Sequence, residues 1–187
     1  MRLKINKFLQ SGEVWTYSNL LSLSRLILGF LLFYSISHKQ THVSISLAVL
    51  AVISDYADGY LARKRNEISE LGKILDPLAD KITVALGAIA LYQVYSLPLW
   101  IVILIIGRDI LILVGSIILI ERLQNVVASE LPGKIAVTII AMLLLTYLLE
   151  WHILKPYLLI LTVLALFISF LFYVLRFIKI FVKYENG

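Results

Sequence analysis

Four carboxylates crowd into one short stretch of this chain. The sequence holds five aspartates in 187 residues, and Asp55, Asp58, Asp76 and Asp80 lie within a segment of 26 residues. Spacings of three and four place each pair on a single face of a helix. Carboxylate oxygens are the ligands that Mg²⁺ and Mn²⁺ prefer, and two such ions side by side recur in phosphoryl transfer. The aspartates therefore predict a site for Mg²⁺ or Mn²⁺, with two ions, that serves a phosphoryl-transfer reaction.

The rest of the composition is that of a membrane protein. Apolar residues make up 60% of the chain, charged residues 16%, and cysteine is absent. Soluble domains contain about 45–50% apolar and about 25% charged residues, and about 20 apolar residues are needed to cross a bilayer. Soluble enzymes, disulfide scaffolds and thiolate chemistry are excluded. The apolar runs predict six transmembrane helices, at about 17–37, 43–62, 69–92, 97–120, 133–151 and 156–178.

The predicted fold is all-α and polytopic. The sequence shows no internal repeat, so residues 1–187 are expected to form a single membrane domain. Residues 1–15 mix basic and apolar side chains and predict an amphipathic helix at the membrane interface, with a solvated leader as the alternative. Residues 16–187 are expected to form the six-helix bundle.

The basic residues predict the orientation of the chain. Fourteen lysines and arginines fall on the side of the two termini, against Lys39 and Lys155 on the other side, with Arg108 inside a span. Cytoplasmic loops carry the excess of basic residues. A multi-pass protein of the cell membrane is expected, with both termini and the carboxylates cytoplasmic. Membrane lipids are expected partners, whereas nucleic acid is not, because no soluble basic face is present.

The second and third predicted spans should run antiparallel, which lets the two aspartate pairs converge. Four ionised carboxylates near the edge of the hydrocarbon cost several kcal/mol each unless a cation is bound. Gly59, Ala62 and Gly72 lack bulky side chains and leave space for a ligand or for close helix contact. Arg63 lies one turn beyond Gly59 and can bind a phosphate from the cytoplasmic rim.

Each feature also has a simpler interpretation. Small residues in transmembrane helices are often packing devices, and a lone intramembrane aspartate is often a proton relay or an ion-pair partner. A divalent-cation or proton-coupled transporter is the main alternative of a different class. A transporter is expected to have repeated halves and carboxylates at the midplane. Here the carboxylates cluster toward one side and no repeat is visible.

The whole segment from Asp55 to Asp80 resembles the signature of the CDP-alcohol phosphotransferase family. The pattern D-x2-D-G-x2-A-R-x8-G-x3-D-x3-D is matched at every fixed position. The matched residues are Asp55, Asp58, Gly59, Ala62, Arg63, Gly72, Asp76 and Asp80. The six-span layout and the early Arg25 are similar to the family as well.

The resemblance implies a reaction and roles for these residues. Family members displace CMP from a CDP-linked lipid when an alcohol attacks the β-phosphorus. By this likeness Asp55, Asp58 and Asp76 are metal ligands, and Asp80 binds metal or accepts the proton of the attacking hydroxyl. The residues expected to line the CDP pocket are Asp55, Asp58, Gly59, Ala62, Arg63 and Gly72. The family also implies a homodimer.

The acceptor alcohol is less clearly indicated. The stretch from Leu71 to Lys81 is most similar to family members that join CDP-diacylglycerol and glycerol 3-phosphate. The stretch from Ile106 to Ile112 is similar to them and also to cardiolipin synthases, which use phosphatidylglycerol. Transfer to glycerol 3-phosphate is the first expectation. Cardiolipin synthesis, or a family member with another acceptor, is the alternative.

Charges outside the motif suggest where a phosphorylated acceptor would bind. Arg108 lies in mid-span, and Lys134 follows Pro132 and Gly133 at a helix start, where backbone amides attract anions. Arg108 and Lys134, together with Arg25, are candidates for the acceptor's phosphate. Alternatively, Arg108 pairs with an interior carboxylate and Lys134 reaches the lipid headgroups.

Overall fold

Every regular element in the described part of the chain is an α-helix. The computed structural model describes residues 17–65, 72–123 and 131–185, and the side chains of residues 22–54, 78–115 and 131–178. The helices are α1 (Tyr17–Ser37), α2 (Thr41–Arg65), α3 (Gly72–Tyr95), α4 (Leu99–Leu123), α5 (Leu131–Leu148) and α6 (Lys155–Glu185). The predicted all-α class is confirmed. The predicted interfacial helix at residues 1–15 lies outside the described residues.

The chain divides into two compact units, Met1–Val94 and Tyr95–Gly187. The first unit contains α1, α2 and nearly all of α3, and the second contains α4, α5 and α6. The expectation that residues 1–187 act as one domain stays a prediction.

In the first unit, α1 and α2 form a helical hairpin. The turn closes α1 with two backbone hydrogen bonds, from Gln40 N–H to the Ser35 carbonyl and from Lys39 N–H to the Ile36 carbonyl. Lys39 adopts a left-handed backbone with φ of 56°. This is the Schellman arrangement, which satisfies the last carbonyls of a helix. Beside the turn, the buried hydroxyls of Ser35 and Ser44 hydrogen-bond at 2.8 Å and lock the two helices in register.

The second unit repeats this design between α5 and α6. Trp151 N–H bonds to the Thr146 carbonyl and Glu150 N–H to the Tyr147 carbonyl, with Glu150 at φ of 55°. Across the turn, the Lys155 ammonium lies 4.8 Å from the centre of the Tyr147 ring. α5 and α6 therefore run antiparallel, and α4 contacts α6 from its middle section.

Two stretches in the described residues are long and apolar enough to cross a membrane, Leu131–Leu148 and Lys155–Ile178. Ser22–Ser37 and Thr41–Ser54 are shorter apolar stretches. Large apolar side chains on the helices, such as Val52 and Phe167, are largely exposed, as expected for helices whose solvent is lipid. The predicted count of six spans goes beyond these observations and stays a prediction.

The ends of α5 and α6 differ from the ends of the predicted spans, because backbone conformation and residue type determine where a helix stops. The fifth span was expected to reach residue 151, but α5 ends at Leu148, because the left-handed Glu150 closes it. The sixth was expected to end at 178, but α6 continues to Glu185. Arg176, Lys179 and Lys183 continue the helical spacing there, and no glycine or proline follows until Gly187.

Candidate active site

Asp80 is the one motif aspartate whose side chain the structure describes, and it pairs with Arg25. The Arg25 guanidinium donates from Nη1 to Asp80 Oδ1 at 3.2 Å. The arginine side chain is 4% exposed, whereas the aspartate side chain is 57% exposed. A buried guanidinium needs a carboxylate partner to offset the loss of its hydration. Arg25 therefore holds one oxygen of Asp80 while the carboxylate faces outward.

A close approach between α1 and α3 brings Arg25 and Asp80 together. A methyl group added at Gly29 would lie 2.8 Å from Thr83 Oγ1 and 3.3 Å from Thr83 Cα. Thr83 Oγ1 in turn donates to the Ala79 carbonyl at 2.9 Å and contacts the Arg25 carbonyl at 3.3 Å. Only glycine at position 29 lets the helices meet at this distance. The contact brings Asp80 within reach of the Arg25 side chain.

The register of α1 and α2 places the first aspartate pair at the same level. Counted from the Ser35–Ser44 hydrogen bond, Arg25 lies ten residues, about 15 Å, toward the start of α1. The same distance along the antiparallel α2 reaches Ser54, and Asp55 is the next residue. Asp58 follows less than one turn later on the same helix.

The register of α1 and α3 places Asp76 and Asp80 near the level of Arg25 as well. Arg25 bonds Asp80 and Gly29 contacts Thr83, so the two helices run in the same direction. Asp76 lies one turn before Asp80 and is inside α3. The backbones of the four aspartates therefore lie within roughly one to two helical turns of one level.

The chemistry of this set fits a divalent cation. Four aspartates whose backbones lie within about two turns of one level bring up to four negative charges, and Arg25 offsets that of Asp80. Oxygen donors of this kind suit Mg²⁺ or Mn²⁺. No group of three metal-ligating side chains occurs among the described residues, which include only Asp80 of the four. The side chains of Asp55, Asp58, Gly59, Ala62, Arg63, Gly72 and Asp76 lie outside those described.

The second unit holds a separate buried charge, Arg108. Its guanidinium donates from Nη1 to Asp109 Oδ1 at 2.7 Å and from Nη2 to the Ser169 hydroxyl on α6. Arg108 is 8% exposed and Ser169 is 1% exposed. Arg108 thus pairs with an interior carboxylate, as the alternative interpretation expected, but it is also fixed to a second helix.

The start of α5 lies against this guanidinium. A methyl group at Gly133 would lie 3.7 Å from Arg108 Nη2. Lys134, the next residue, is exposed. The structure thus brings Arg108 to the helix start that carries Lys134. Arg25 belongs to the first unit, where Asp80 is its described partner.

Sequence reasoning missed Gly29, Thr83 and Ser169. Gly29 and Ser169 are small residues inside apolar runs, where nothing marks Gly29 as the contact of Thr83 or Ser169 as the contact of Arg108. A usable signal was the charge of Arg108 itself, because a mid-span guanidinium requires polar partners on neighbouring helices.

A profile of the CDP-alcohol phosphatidyltransferase family matches residues 15–176, which is most of the chain. The chain belongs to the CDP-alcohol phosphatidyltransferase family. The resemblance carried by the aspartate motif is confirmed, and the family is membrane-embedded. The transporter alternative loses its basis, because the match assigns the chain to a transferase family.

Individual relatives carry two different names. CDP-diacylglycerol–glycerol-3-phosphate 3-phosphatidyltransferases of Aquifex aeolicus and Bacillus subtilis are both 42% identical, over 107 and 89 residues. These regions cover 56% and 48% of this chain and 60% and 46% of the relatives. A CMP-forming cardiolipin synthase of Rattus norvegicus is 37% identical over 100 residues, covering 53% of this chain and 33% of the relative. The matched part therefore spans about a third to three fifths of each relative.

Proposed function

We propose that this chain transfers a phosphatidyl group from CDP-diacylglycerol to glycerol 3-phosphate, releasing CMP and forming phosphatidylglycerophosphate. The observation that carries the proposal is the helix register that sets four aspartates at the level of the Arg25–Asp80 pair. Family membership supports the reaction type, and the two relatives at 42% identity support the acceptor.

The proposed chemistry uses the chain's own residues in distinct roles. Asp55, Asp58 and Asp76, with an oxygen of Asp80, would hold Mg²⁺ or Mn²⁺, two ions in all. The bound metal supplies positive charge that offsets the charge developing on the pyrophosphate. Gly59, Ala62, Arg63 and Gly72, beside Asp55 and Asp58, would line the CDP pocket.

In the proposed reaction the acceptor hydroxyl oxygen forms a bond to the β-phosphorus, and the bond from that phosphorus to the CMP oxygen breaks. CMP leaves with the bonding electron pair. Asp80 takes the hydroxyl proton, a role suited to a half-exposed carboxylate whose other side is held by Arg25. Arg25 thus keeps the base oriented.

For the acceptor we propose binding of its phosphate at Arg108 and Lys134. Arg108 is buried beside the first turn of α5, and both the guanidinium and the helix amides favour an anion there. In this proposal Arg25 acts through Asp80 rather than on the phosphate, because the carboxylate is its described partner.

The deciding experiment measures CMP release by the purified protein with CDP-diacylglycerol and Mg²⁺, with glycerol 3-phosphate or phosphatidylglycerol as acceptor. Stimulation by glycerol 3-phosphate supports the proposal. Stimulation by phosphatidylglycerol alone makes the chain a cardiolipin synthase, the candidate that the Rattus norvegicus relative favours. Removal of divalent ions with EDTA should abolish release, and Mg²⁺ or Mn²⁺ should restore it. Activity that persists in EDTA would contradict the metal site.

We also propose that the chain crosses the cell membrane six times, with both termini and the site cytoplasmic, and that it forms a homodimer. The basic residues support the sidedness. Light scattering on the detergent-solubilised protein should give twice the mass of one chain, and a monomer mass would contradict the dimer.

A further inference from the structure

Arg108 lies in an environment that leaves part of its hydrogen-bonding capacity unused. Asp109 accepts one hydrogen bond from Nη1, and the Ser169 hydroxyl accepts one from Nη2. The buried Nε has no hydrogen-bond partner among the described residues. A buried donor without a partner is costly, so this edge of the guanidinium is suited to a ligand that accepts hydrogen bonds.

The neighbouring helix start makes the same region more positive. Arg108 Nη2 would lie 3.7 Å from a methyl group at Gly133, within the first turn of α5. The amides of a helix's first turn carry partial positive charge, and a cation is unfavourable next to them. The buried Nε and the amides of the first turn are both hydrogen-bond donors, which indicates that an anionic acceptor completes the site.

Ser169 is the residue that holds them together. Counted from the Lys155–Tyr147 contact, Ser169 lies 14 residues along α6, and Gly133 lies 14 residues back along the antiparallel α5. The serine thus stands at the level of the α5 start. Because a hydroxyl is neutral, Ser169 fixes the guanidinium without adding negative charge to the Arg108–Asp109 pair, which a second carboxylate would do.

We propose that Ser169 is a positioning residue for the acceptor's phosphate. Its hydroxyl holds Arg108 against the first turn of α5 so that the guanidinium and the helix amides meet one anionic group. This inference rests on the proposed function for the identity of the acceptor. The placement of the guanidinium by Ser169 rests on the geometry of α4, α5 and α6.

The test compares Ser169→Ala, Ser169→Thr and Thr162→Val in the full-length protein. Thr162 is the matched control, because it is a fully buried hydroxyl on α6 that bonds to the Leu158 carbonyl of its own helix. Steady-state CMP release is measured against glycerol 3-phosphate and, separately, against CDP-diacylglycerol. Melting temperature is recorded for each variant.

Ser169→Ala should raise KM for glycerol 3-phosphate about ten-fold, since a hydrogen bond to a charged group is lost. The KM for CDP-diacylglycerol and kcat should stay within about two-fold of wild type. Ser169→Thr keeps a hydroxyl, so its KM for glycerol 3-phosphate should stay near the wild-type value. Thr162→Val should behave as wild type. An unchanged KM for the acceptor, or equal changes in both KM values, would overturn the inference.

Failure of the proposed function gives a different result. If wild type uses only phosphatidylglycerol, the proposed acceptor is wrong, and the same comparison is made with KM for phosphatidylglycerol. If no acceptor gives turnover, the readout is the rise in melting temperature that glycerol 3-phosphate causes. A selective effect of Ser169→Ala in either assay supports the positioning role. The positioning role is overturned if Ser169→Ala behaves as wild type in the assay used. It is also overturned if glycerol 3-phosphate does not raise the melting temperature of the wild type.

Discussion

Arg25 and Arg108 are both buried, and their partners differ in a way that matters for chemistry. Arg25 meets a carboxylate that is more than half exposed, so the pair leaves Asp80 accessible from outside. Arg108 meets Asp109 on its own helix and a neutral hydroxyl on another. Arg25 therefore orients the carboxylate of Asp80. Arg108 is instead itself held in place, by Asp109 and Ser169.

Asp80 provides the sharpest test at this scale. Asp80→Asn keeps an oxygen that can accept from Arg25 but cannot take a proton from the acceptor. We expect CMP release to fall at least about 100-fold, the usual contribution of a general base. The melting temperature should fall as well, because the buried Arg25 guanidinium loses its carboxylate charge. Glu150→Gln, at an exposed carboxylate in the α5–α6 turn, is the control and should retain wild-type activity. Retention of more than about a tenth of the activity by Asp80→Asn would argue against the base role.

Gly29 tests the close approach of α1 and α3. Gly29→Ala puts a methyl group 2.8 Å from Thr83 Oγ1, so the helices must separate. We expect a loss of about 1–3 kcal/mol in stability, as in other overpacked contacts, together with lower activity through displacement of Asp80. Thermal unfolding in detergent and CMP release measure the two effects.

The matched control is Gly115→Ala, where nothing lies within 4 Å of the added methyl group. It should leave stability unchanged or raise it by about 0.5–1 kcal/mol, because alanine favours the helix. Adding Thr83→Ala to Gly29→Ala should recover part of the lost stability, since it removes the nearest atom. Equal behaviour of the two alanine variants would mean that the approach at Gly29 is not tight.

At the scale of helices, both hairpin turns carry a strained residue. Lys39 and Glu150 adopt positive φ at the position after the helix end, where glycine is the usual residue. Lys39→Gly and Glu150→Gly should each raise stability by roughly 0.5–1 kcal/mol, since glycine removes the steric cost of this conformation but loses more entropy on folding. Thermal unfolding checks the gain.

Alanine at the same two positions separates backbone strain from charge. Lys39→Ala and Glu150→Ala retain the β-carbon and should bring no gain. A gain from alanine equal to that from glycine would mean that removal of the charge, rather than relief of the backbone, raises stability.

The sequence predicts the helices well and their contacts poorly. Apolar runs about 20 residues long predict where helices lie, because the bilayer sets that length. Ends such as Leu148 are decided by backbone hydrogen bonds of residues that carry no turn signature. The aspartate motif predicts the site because its residues are charged and closely spaced. Thr83 and Ser169 are ordinary small polar residues until tertiary packing sets them beside Arg25 and Arg108.

At the scale of the whole molecule, the absence of cysteine allows a clean test of topology. Single cysteines at the exposed positions Lys39 and Glu150 should react with a membrane-impermeant maleimide on intact cells. A cysteine at Lys134, also exposed, should react only after the cells are permeabilised. The two hairpin turns are thus expected on the outer side, with the start of α5 inside. Different results for the two turns would contradict six spans, and labelling of Lys134→Cys on intact cells would contradict a cytoplasmic start of α5.

The bond between Arg108 and Ser169 also has a consequence for biosynthesis. Asp109 is the next residue that the ribosome adds after Arg108, whereas Ser169 follows 61 residues later. At about 5–20 residues per second, the guanidinium has only its neighbouring carboxylate for several seconds. The hydrogen bonds that join Arg108, Asp109 and Ser169 are therefore all present only after α6 has been synthesised. A nascent chain that stops before Ser169 keeps a partly satisfied arginine, and we expect cellular quality control to degrade it.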